Sequence, residues 1–266
     1  MRLLQELRSD LNRLYLFELD DGLKVESVFY RGDTLCISSQ VGCAIGCPFC
    51  LSGSKGLFRN LSYEEIYLQY KLLKERLPIK RIAIAGIGEP LMNYQNVEQA
   101  FWAFKKDGVK VSFYTTGFPT DKLLNLLDLP HNGITISIHT LDEEKRKYLL
   151  PHAGSLKTLL DILKTHLRVL SKRKRKKIGL AYLLLKGIND SQEELLEFAK
   201  LVKALGVNAV LLYYNKTNAN FVQMLPEEYE KHFFFLKSQD VRVTLSTRYR
   251  KDQLGGCGTL LINRSL

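Results

Sequence analysis

Short apolar segments alternate with longer amphipathic segments along most of this 266-residue chain. Short stretches rich in Val, Ile, Leu, Phe and Tyr are typical of buried strands, and apolar residues three or four apart indicate helices. The predicted strands are 34–38, 81–85, 110–114, 133–139, 177–185, 209–214 and 241–245. The predicted helices are 62–77, 96–106, 121–127, 142–149, 155–170, 191–205 and 226–236.

This alternation predicts an α/β fold in which strand–helix–strand units build a parallel sheet. Six or more such units favour an open or partial (β/α) barrel over a doubly wound sheet, although the hydrophobic period is compatible with both. In either fold the loops at the carboxyl ends of the strands carry the chemistry. His139 ends a predicted strand, Asn189 and Asn215 follow predicted strands, and so do a cysteine-rich and a Gly-Glu-Pro segment.

The first residues depart from this alternation. Apolar residues near helical spacing predict a short amphipathic helix over residues 1–12, and they are Leu3, Leu4, Leu7 and Leu11. An Asp-Asp-Gly segment between two alternating stretches, 15–19 and 23–30, predicts a β-hairpin. We therefore expect an N-terminal helix and hairpin extension over residues 1–33 and a barrel domain over residues 34–266.

Composition and charge narrow the function classes. No apolar run approaches the roughly 18 residues of a membrane helix, and the N-terminus lacks the apolar core of a secretory signal. The net charge of +11 favours a polyanionic partner such as RNA, because Lys and Arg release counterions from phosphates on binding. Cations are concentrated in a run over residues 172–177 and in a second group, Arg248, Arg250 and Lys251.

Three cysteines, Cys43, Cys47 and Cys50, form a C-x3-C-x2-C array. Thiolates this close can bind one soft metal centre, which favours a metal site in a reducing cytoplasm over a disulfide framework. Three cysteines leave one position open in a tetrahedral zinc site or a 4Fe–4S cluster. The alternatives are a zinc site completed by Cys36 or a His, or simply three buried thiols. The array resembles the signature of radical S-adenosylmethionine (SAM) enzymes.

Two further segments carry candidate chemistry. The Gly-Ile-Gly-Glu-Pro segment at 86–90 follows a predicted strand but lacks the third glycine of a dinucleotide-binding loop. Its glycines allow close approach of a ligand, and its glutamate could receive a cationic amino group; a tight turn with an exposed glutamate is the alternative. Cys257 lies on a glycine-rich C-terminal loop, which suits a nucleophile that changes partners; a C-terminal cysteine without a chemical role is the alternative.

These segments together resemble the RlmN/Cfr family of dual-specificity radical SAM enzymes, which methylate an adenine ring carbon in RNA. The resemblance rests on Thr-Leu-Cys-x-Ser-Ser-Gln-x-Gly before the cysteine array, then Gly-x-Gly-Glu-Pro-Leu, Ser-x-His and a C-terminal Cys-Gly. These motifs occur in the family order between about residues 15 and 260. The resemblance implies a radical SAM partial barrel, a 4Fe–4S cluster and SAM as cofactors.

The resemblance also implies a role for each matching residue. Cys43, Cys47 and Cys50 would hold the cluster. The residues that would line the SAM pocket are Gly88, Glu89, Tyr114, Ser137, Ile138, His139 and Asn215. The catalytic residues would be Cys257 as methyl carrier, Cys36 as its resolving partner and Glu26 as a proton acceptor.

The family chemistry explains why two cysteines outside the cluster are needed. One SAM methylates the Cys257 thiolate by displacement, and reductive cleavage of a second SAM yields a radical that removes hydrogen from the S-methyl group. The resulting carbon radical adds to the adenine ring and links protein to RNA. The ring proton is then lost to Cys36 or Glu26. Attack of Cys36 on the Cys257 sulfur releases the methylated base and leaves a disulfide.

The chain departs from the family pattern in three places. The helical N-terminal domain expected before the hairpin is lacking in this sequence, Tyr114 replaces an expected serine, and Lys-Thr-Asn-Ala-Asn follows Asn215 instead of a proline-rich segment. A radical SAM enzyme with a smaller substrate (a nucleotide, a small RNA or a protein) is therefore an alternative, as is a zinc-stapled RNA-binding protein. The expected partners are ribosomal or transfer RNA and a low-potential electron donor such as flavodoxin or ferredoxin, and the expected state is a monomer.

Overall fold

The structure is a computed structural model that describes residues 1–218 and 220–263. Residues 264–266, the end of the predicted barrel domain, lie outside this description. The chain starts with four strands that pair antiparallel in sequence order. They are β1 (Arg2–Arg8), β2 (Arg13–Glu18), β3 (Lys24–Tyr30) and β4 (Thr34–Ile37). The predicted hairpin is confirmed as β2 and β3.

The helix predicted over residues 1–12 is wrong, because β1 occupies most of this segment. A bulge after Leu3 shifts the register, so that Leu3 lies opposite Phe17 and Leu7 lies opposite Leu14. Leu3 and Leu7 both pack against the main core. Leucines four residues apart fit one face of a helix and one face of a strand alike, so the pairing with β2 decides between the two.

The remaining elements follow the predicted alternation. They are β5 (Gln40–Gly42), β6 (Leu57–Asn60), α1 (Tyr63–Lys71), β7 (Arg81–Ile84), α2 (Tyr94–Lys106), β8 (Lys110–Thr115), α3 (Thr120–Asp128), β9 (Gly133–Ser137), α4 (Glu143–Leu149), α5 (Leu156–Val169), α6 (Lys172–Arg175), β10 (Ile178–Leu184), α7 (Gln192–Leu205), β11 (Asn208–Tyr213), α8 (Pro226–Ser238) and β12 (Val243–Leu245). The capping pattern at Ser62 and Glu65 is present at the start of α1. The pair β5–β6 and the short helix α6 on the basic run were not predicted.

The main sheet has the strand order β1-β2-β3-β4-β7-β8-β9-β10-β11-β12. From β4 onward every neighbouring pair is parallel. Strands β1 and β12 form the two edges, so the sheet is open. This confirms the predicted α/β class, a partial barrel that carries antiparallel strands at its N-terminal side.

Two clusters of buried apolar residues fill the structure. The larger one packs the helices onto the sheet. The smaller one contains Ile45, Leu149, Ala181, Leu183 and Phe221, and Cys43, Cys47 and Phe49 pack against it. The cysteine array thus covers an apolar region at the carboxyl ends of the parallel strands. No helix in the described ranges has the length and apolar character required to cross a membrane.

Candidate active site

The cysteine array lies in the loop between β5 and β6, which form a small separate sheet. Main-chain hydrogen bonds shape this loop: Cys43 N–H donates to Gly56 O (3.1 Å) and Cys50 N–H donates to Cys47 O (3.0 Å). Gly42 has a φ of 83°, and a Cβ atom there would lie 2.0 Å from Gly56 O. The close backbone approach at the start of the array therefore requires glycine.

The three thiols are free and partly buried. Burial raises the pKa of Cys43 to about 12, and it also raises the pKa of Cys47 and Cys50. Negative charge on a neighbour acts in the same direction, because Cys50 and Glu89 both face Cys43 and Cys47. Together these thiols ionise only beside a compensating cation.

An iron–sulfur cluster supplies such a compensating charge, and thiolates are its ordinary ligands. Within the described ranges, no three His, Cys, Asp or Glu side chains are grouped closely enough to hold a single metal ion. Cluster ligands bind different irons and do not need that proximity. The donor set therefore fits a 4Fe–4S cluster with three irons held by Cys43, Cys47 and Cys50.

Glu89 follows β7 and is buried, with 2% of its surface exposed. Its carboxylate accepts hydrogen bonds from the Thr115 hydroxyl, Thr116 N–H (2.7 Å), the Thr116 hydroxyl (2.9 Å) and Leu91 N–H (3.1 Å). Burial raises the pKa of Glu89, and these donors oppose the shift. The carboxylate thus joins the ends of β7 and β8, a role that the sequence did not indicate.

We expect Glu89→Gln to destabilise the fold by about 2–3 kcal/mol, because the new amide NH2 would face the N–H donors of Thr116 or Leu91. Denaturant unfolding of both proteins measures the difference. Glu230→Gln, an exposed position on α8, is the matched control, with an expected change below about 0.5 kcal/mol. Equal stability of the two variants would contradict the role of the Glu89 network.

Gly88 and Tyr114, two residues expected in the SAM pocket, lie at the ends of neighbouring strands. Gly88 has a φ of 107°, and a Cβ atom there would lie 2.6 Å from Gln40 Cβ and 2.9 Å from Gln40 N. Gln40 Oε1 also accepts from the N–H of Glu89 (2.7 Å). Only glycine therefore fits the turn against Gln40. Tyr114 is half-buried in β8.

His139 follows β9 and is buried, with a φ of 63° in the left-handed region. His139 Nδ1 lies 3.1 Å from the main-chain nitrogen of Leu183 and 3.2 Å from the main-chain oxygen of Ala181, so β10 holds the ring on one side. Burial and the nearby positive charge of Arg146 lower the pKa of His139 to about 3. The Phe49 ring lies 5.6 Å away, edge to face. A neutral imidazole is thus held in one orientation beside the cysteine array.

Arg146 on α4 was not among the predicted site residues, although only 1% of it is exposed. Its guanidinium donates to the carbonyl oxygens of Thr116, Ser137 and Ile138, each at 3.3 Å. Burial lowers the pKa of Arg146 to about 10, and the charges of Glu143 and Cys47 oppose that shift. Ser137 and Ile138, both expected near SAM, are therefore tied to α4 through their main chain. Nothing local in the sequence distinguishes Arg146 from the neighbouring cations.

Asn215, another residue expected to contact SAM, holds the C-terminal loop. Its Nδ2 donates to Arg250 O (2.8 Å) and to Cys257 O (2.9 Å). Cys257 N–H donates to the same Arg250 oxygen (3.1 Å). The Oδ1 atom of Asn215 is buried and has no hydrogen-bond partner in the described part of the chain. The side chain thus closes the loop and presents one acceptor to a ligand.

The C-terminal loop and the sheet enclose a cavity of about 120 Å³ that three thiols line. The thiols belong to Cys50 of the cysteine array, Cys36 of β4 and Cys257. The other side chains in its lining include Tyr30, Tyr114 and Arg250. Burial raises the pKa of Cys36 to about 12, and the charge of Arg250 opposes the shift. The sequence did not predict a role for Tyr30 or Arg250 in this cavity.

Glu26 lies on β3, fully buried and outside the lining of that cavity. Its Oε2 accepts a hydrogen bond from Leu261 N–H (2.8 Å), and its main-chain oxygen accepts one from the Ser38 hydroxyl (2.7 Å). Glu26 thereby anchors the segment that follows Cys257. The structure brings Cys36, Cys50, Tyr114 and Cys257 together at one cavity, and it places Glu26 behind the loop.

The comparisons with known proteins identify the class to which this fold belongs. Residues 37–199 match the Radical SAM superfamily, which is the class that the partial barrel and the cysteine loop define. A crystal structure of a radical SAM methyltransferase from Sphaerobacter thermophilus has the same fold, with a TM-score of 0.85 and 24% identity, over 97% of this chain and 80% of that one. The chain is thus a SAM-dependent enzyme of this superfamily.

Curated relatives narrow the class. A probable RNA methyltransferase of Ectopseudomonas mendocina is 35% identical over 92% of this chain and 72% of its own length. A probable dual-specificity RNA methyltransferase RlmN of Finegoldia magna is 32% identical over 96% of this chain and 76% of its own length. The chain belongs to this RlmN-like family of radical SAM RNA methyltransferases, as the sequence motifs predicted.

Proposed function

We propose that this enzyme methylates ring carbon 2 or 8 of an adenosine in ribosomal or transfer RNA, through a methyl group carried by Cys257 and with two SAM per turnover. The observation that supports this proposal is the cavity in which Cys36, Cys50 and Cys257 meet. A cluster ligand, a methyl carrier and a resolving thiol need such proximity, because the methyl group must pass between them and the base. The names of the curated relatives support RNA as the substrate class.

Each residue has a defined part in this proposal. Cys43, Cys47 and Cys50 would hold a 4Fe–4S cluster, which with SAM supplies one-electron chemistry that protein side chains lack. Cys257 receives a methyl group as a nucleophile. Cys36, across the same cavity, attacks the Cys257 sulfur to release product. Either Cys36 or Glu26 takes the ring proton.

The SAM pocket would lie between the cysteine loop and the carboxyl ends of β7, β8, β9 and β11. Neutral His139, the turn at Gly88 and Glu89, and the buried Oδ1 of Asn215 lie around this region. A ligand hydroxyl or amino group that donates to Oδ1 would satisfy its unpaired acceptor. Ser137 and Ile138 would form the wall of the pocket on β9.

The cysteines and the net charge also bear on the compartment and the partners of the enzyme. All five cysteines are free thiols, which fits a reducing cytoplasm. The net charge of +11 would attract RNA phosphates, so binding should weaken steeply with salt. The cluster would take its electrons from a low-potential carrier such as flavodoxin or ferredoxin, and the enzyme would act as a monomer.

Mass spectrometry of the C-terminal peptide tests the methyl-carrier step. Protein purified without air, reconstituted with iron and sulfide, is incubated with SAM and digested. A gain of about 14 daltons on Cys257 is the expected result, because a methyl group replaces the thiol hydrogen. Unmodified Cys257, in protein that still cleaves SAM under reduction, would indicate radical SAM chemistry on a different, smaller substrate. Bound zinc and no SAM cleavage would indicate a zinc-stapled RNA-binding protein.

A further inference from the structure

We propose that Arg250 is a positioning residue for the methyl-carrying sulfur: stacked on Tyr114, its guanidinium holds the Cys257 thiolate in the cavity until it is methylated. This inference rests on the proposed function of Cys257. Neither the family resemblance nor the comparisons give Arg250 or Tyr114 this role, and Tyr114 stands where the resemblance implies a serine.

Arg250 contacts Cys257 through both its side chain and its main chain. The Nη1–H group donates to Cys257 Sγ (3.8 Å), and the carbonyl oxygen accepts the Cys257 N–H (3.1 Å). Asn215 Nδ2 binds the same carbonyl oxygen (2.8 Å). One arginine therefore fixes both the backbone and the sulfur of the methyl carrier.

Tyr114 fixes the guanidinium in turn. The central carbon of the guanidinium lies 4.2 Å from the centroid of the Tyr114 ring. Tyr114 belongs to β8 in the middle of the sheet, whereas Arg250 lies in a 3-10 turn of the C-terminal loop. Stacking a planar cation on an aromatic face restricts the direction of its N–H groups. A serine at position 114 would offer no such surface, so Tyr114 and Arg250 act as a pair.

Phenols and thiols surround the Arg250 guanidinium. The groups whose charges act most strongly on it are Tyr30 of β3, Cys36 of β4, Tyr114 of β8 and Cys257. The groups that act on Cys257 from other elements are Cys36, Cys50 of the cysteine loop and Tyr229 of α8. A partly desolvated cation is stabilised by acceptors, and Arg250 donates to the Cys257 sulfur and also forms a side-chain hydrogen bond with Tyr30.

The methylation step is consistent with this contact. The Cys257 thiolate forms the new S–C bond with its own electron pair, and the methyl–sulfonium bond of SAM breaks with its pair remaining on S-adenosylhomocysteine. No electron acceptor or donor is needed. The sulfur loses its negative charge in this step, so its attraction to Arg250 weakens. The methylated side chain is then free to turn toward the RNA base.

Alkylation of Cys257 by iodoacetamide tests the pair without SAM or RNA. The rate is measured on the full-length, cluster-reconstituted protein by mass spectrometry of the C-terminal peptide. We expect Arg250→Met to slow alkylation about tenfold and Tyr114→Ser about fivefold, whereas Tyr114→Phe stays within about twofold of the parent. The matched control is Arg248→Met, the same substitution in the same loop at an exposed position.

Added guanidinium ion separates positioning from a general effect on folding. It should restore at least about a third of the lost rate in Arg250→Met and leave the rate of Arg248→Met unchanged, because only the first variant lacks a guanidinium beside the Cys257 sulfur. A parent-like rate in Arg250→Met overturns the proposal, as does a loss that guanidinium ion does not restore. Because SAM is absent, this result is independent of the methyl gain on Cys257 that tests the proposed function.

Discussion

Cys257→Ala is expected to abolish methyl transfer to RNA, with a rate at least about 1,000-fold below that of the parent, because no other nucleophile can carry the methyl group. The Cys257 thiol lies in the cavity that Cys36 and Cys50 share, and Arg250 donates to it. Alanine removes the sulfur that accepts from Arg250. The measurement is transfer of labelled methyl from SAM to RNA in reconstituted protein.

The same variant should keep its cluster and its reductive cleavage of SAM, because Cys43, Cys47 and Cys50 are unchanged. Cys257→Ser is the matched control for packing: it restores a side chain of similar shape, yet its hydroxyl is a much weaker nucleophile than a thiolate. We expect it to be as inactive as alanine. Methyl transfer by either variant, at a rate near that of the parent, would refute the methyl-carrier mechanism.

The sequence was sufficient for most of the fold because its barrel strands are short, apolar and separated by helices with clear amphipathic patterns. The bounds of β7, β8, β9, β10 and β11 lie within a few residues of the predicted ones. The prediction of a helix over residues 1–12 failed for a specific reason. Leucines four residues apart fit a helix and a strand alike, and only pairing with β2 reveals the strand.

The candidate site was predictable where a motif carries its own chemistry. Three clustered cysteines indicate a metal centre before any fold is known, and the resemblance supplied the two other cysteines. The sequence did not predict contacts between residues that are far apart along the chain. Arg146 ties β8 to β9 from a helix, and Arg250 meets Tyr114 across the chain. Such pairs depend on three-dimensional packing, which local spacing does not encode.

Glu89 and Asn215 show a related limit. The family motifs assign both residues to the SAM pocket, and in the structure each side chain also stabilises the fold. The Glu89 carboxylate bonds to Thr115 and Thr116, and the Asn215 amide closes the C-terminal loop. Substitution of either residue would therefore change the fold and ligand binding together. Stability must be measured beside SAM binding before a loss of activity is assigned to either residue.

Cys36→Ala is expected to stop the reaction at a later step than Cys257→Ala does. The variant should still accept a methyl group and attach it to the RNA base, and then stop with protein and RNA covalently linked. Release requires Cys36 to attack the Cys257 sulfur, so that an S–S bond forms while the S–C bond breaks and its electron pair goes to the RNA carbon. Both cysteines line one cavity, which gives Cys36 the necessary access.

Denaturing gel electrophoresis of labelled RNA measures the linked species. We expect at least about half of the Cys36→Ala protein to carry RNA after one turnover, against almost none for the parent. Cys36→Ser should resemble alanine, and the Cys36→Ala/Cys257→Ala double variant should form no link. In the parent, each turnover should leave one disulfide that an external dithiol must reduce. Free methylated RNA from Cys36→Ala, at the parent rate, would show that another group releases the product and that Cys36 only lines the cavity.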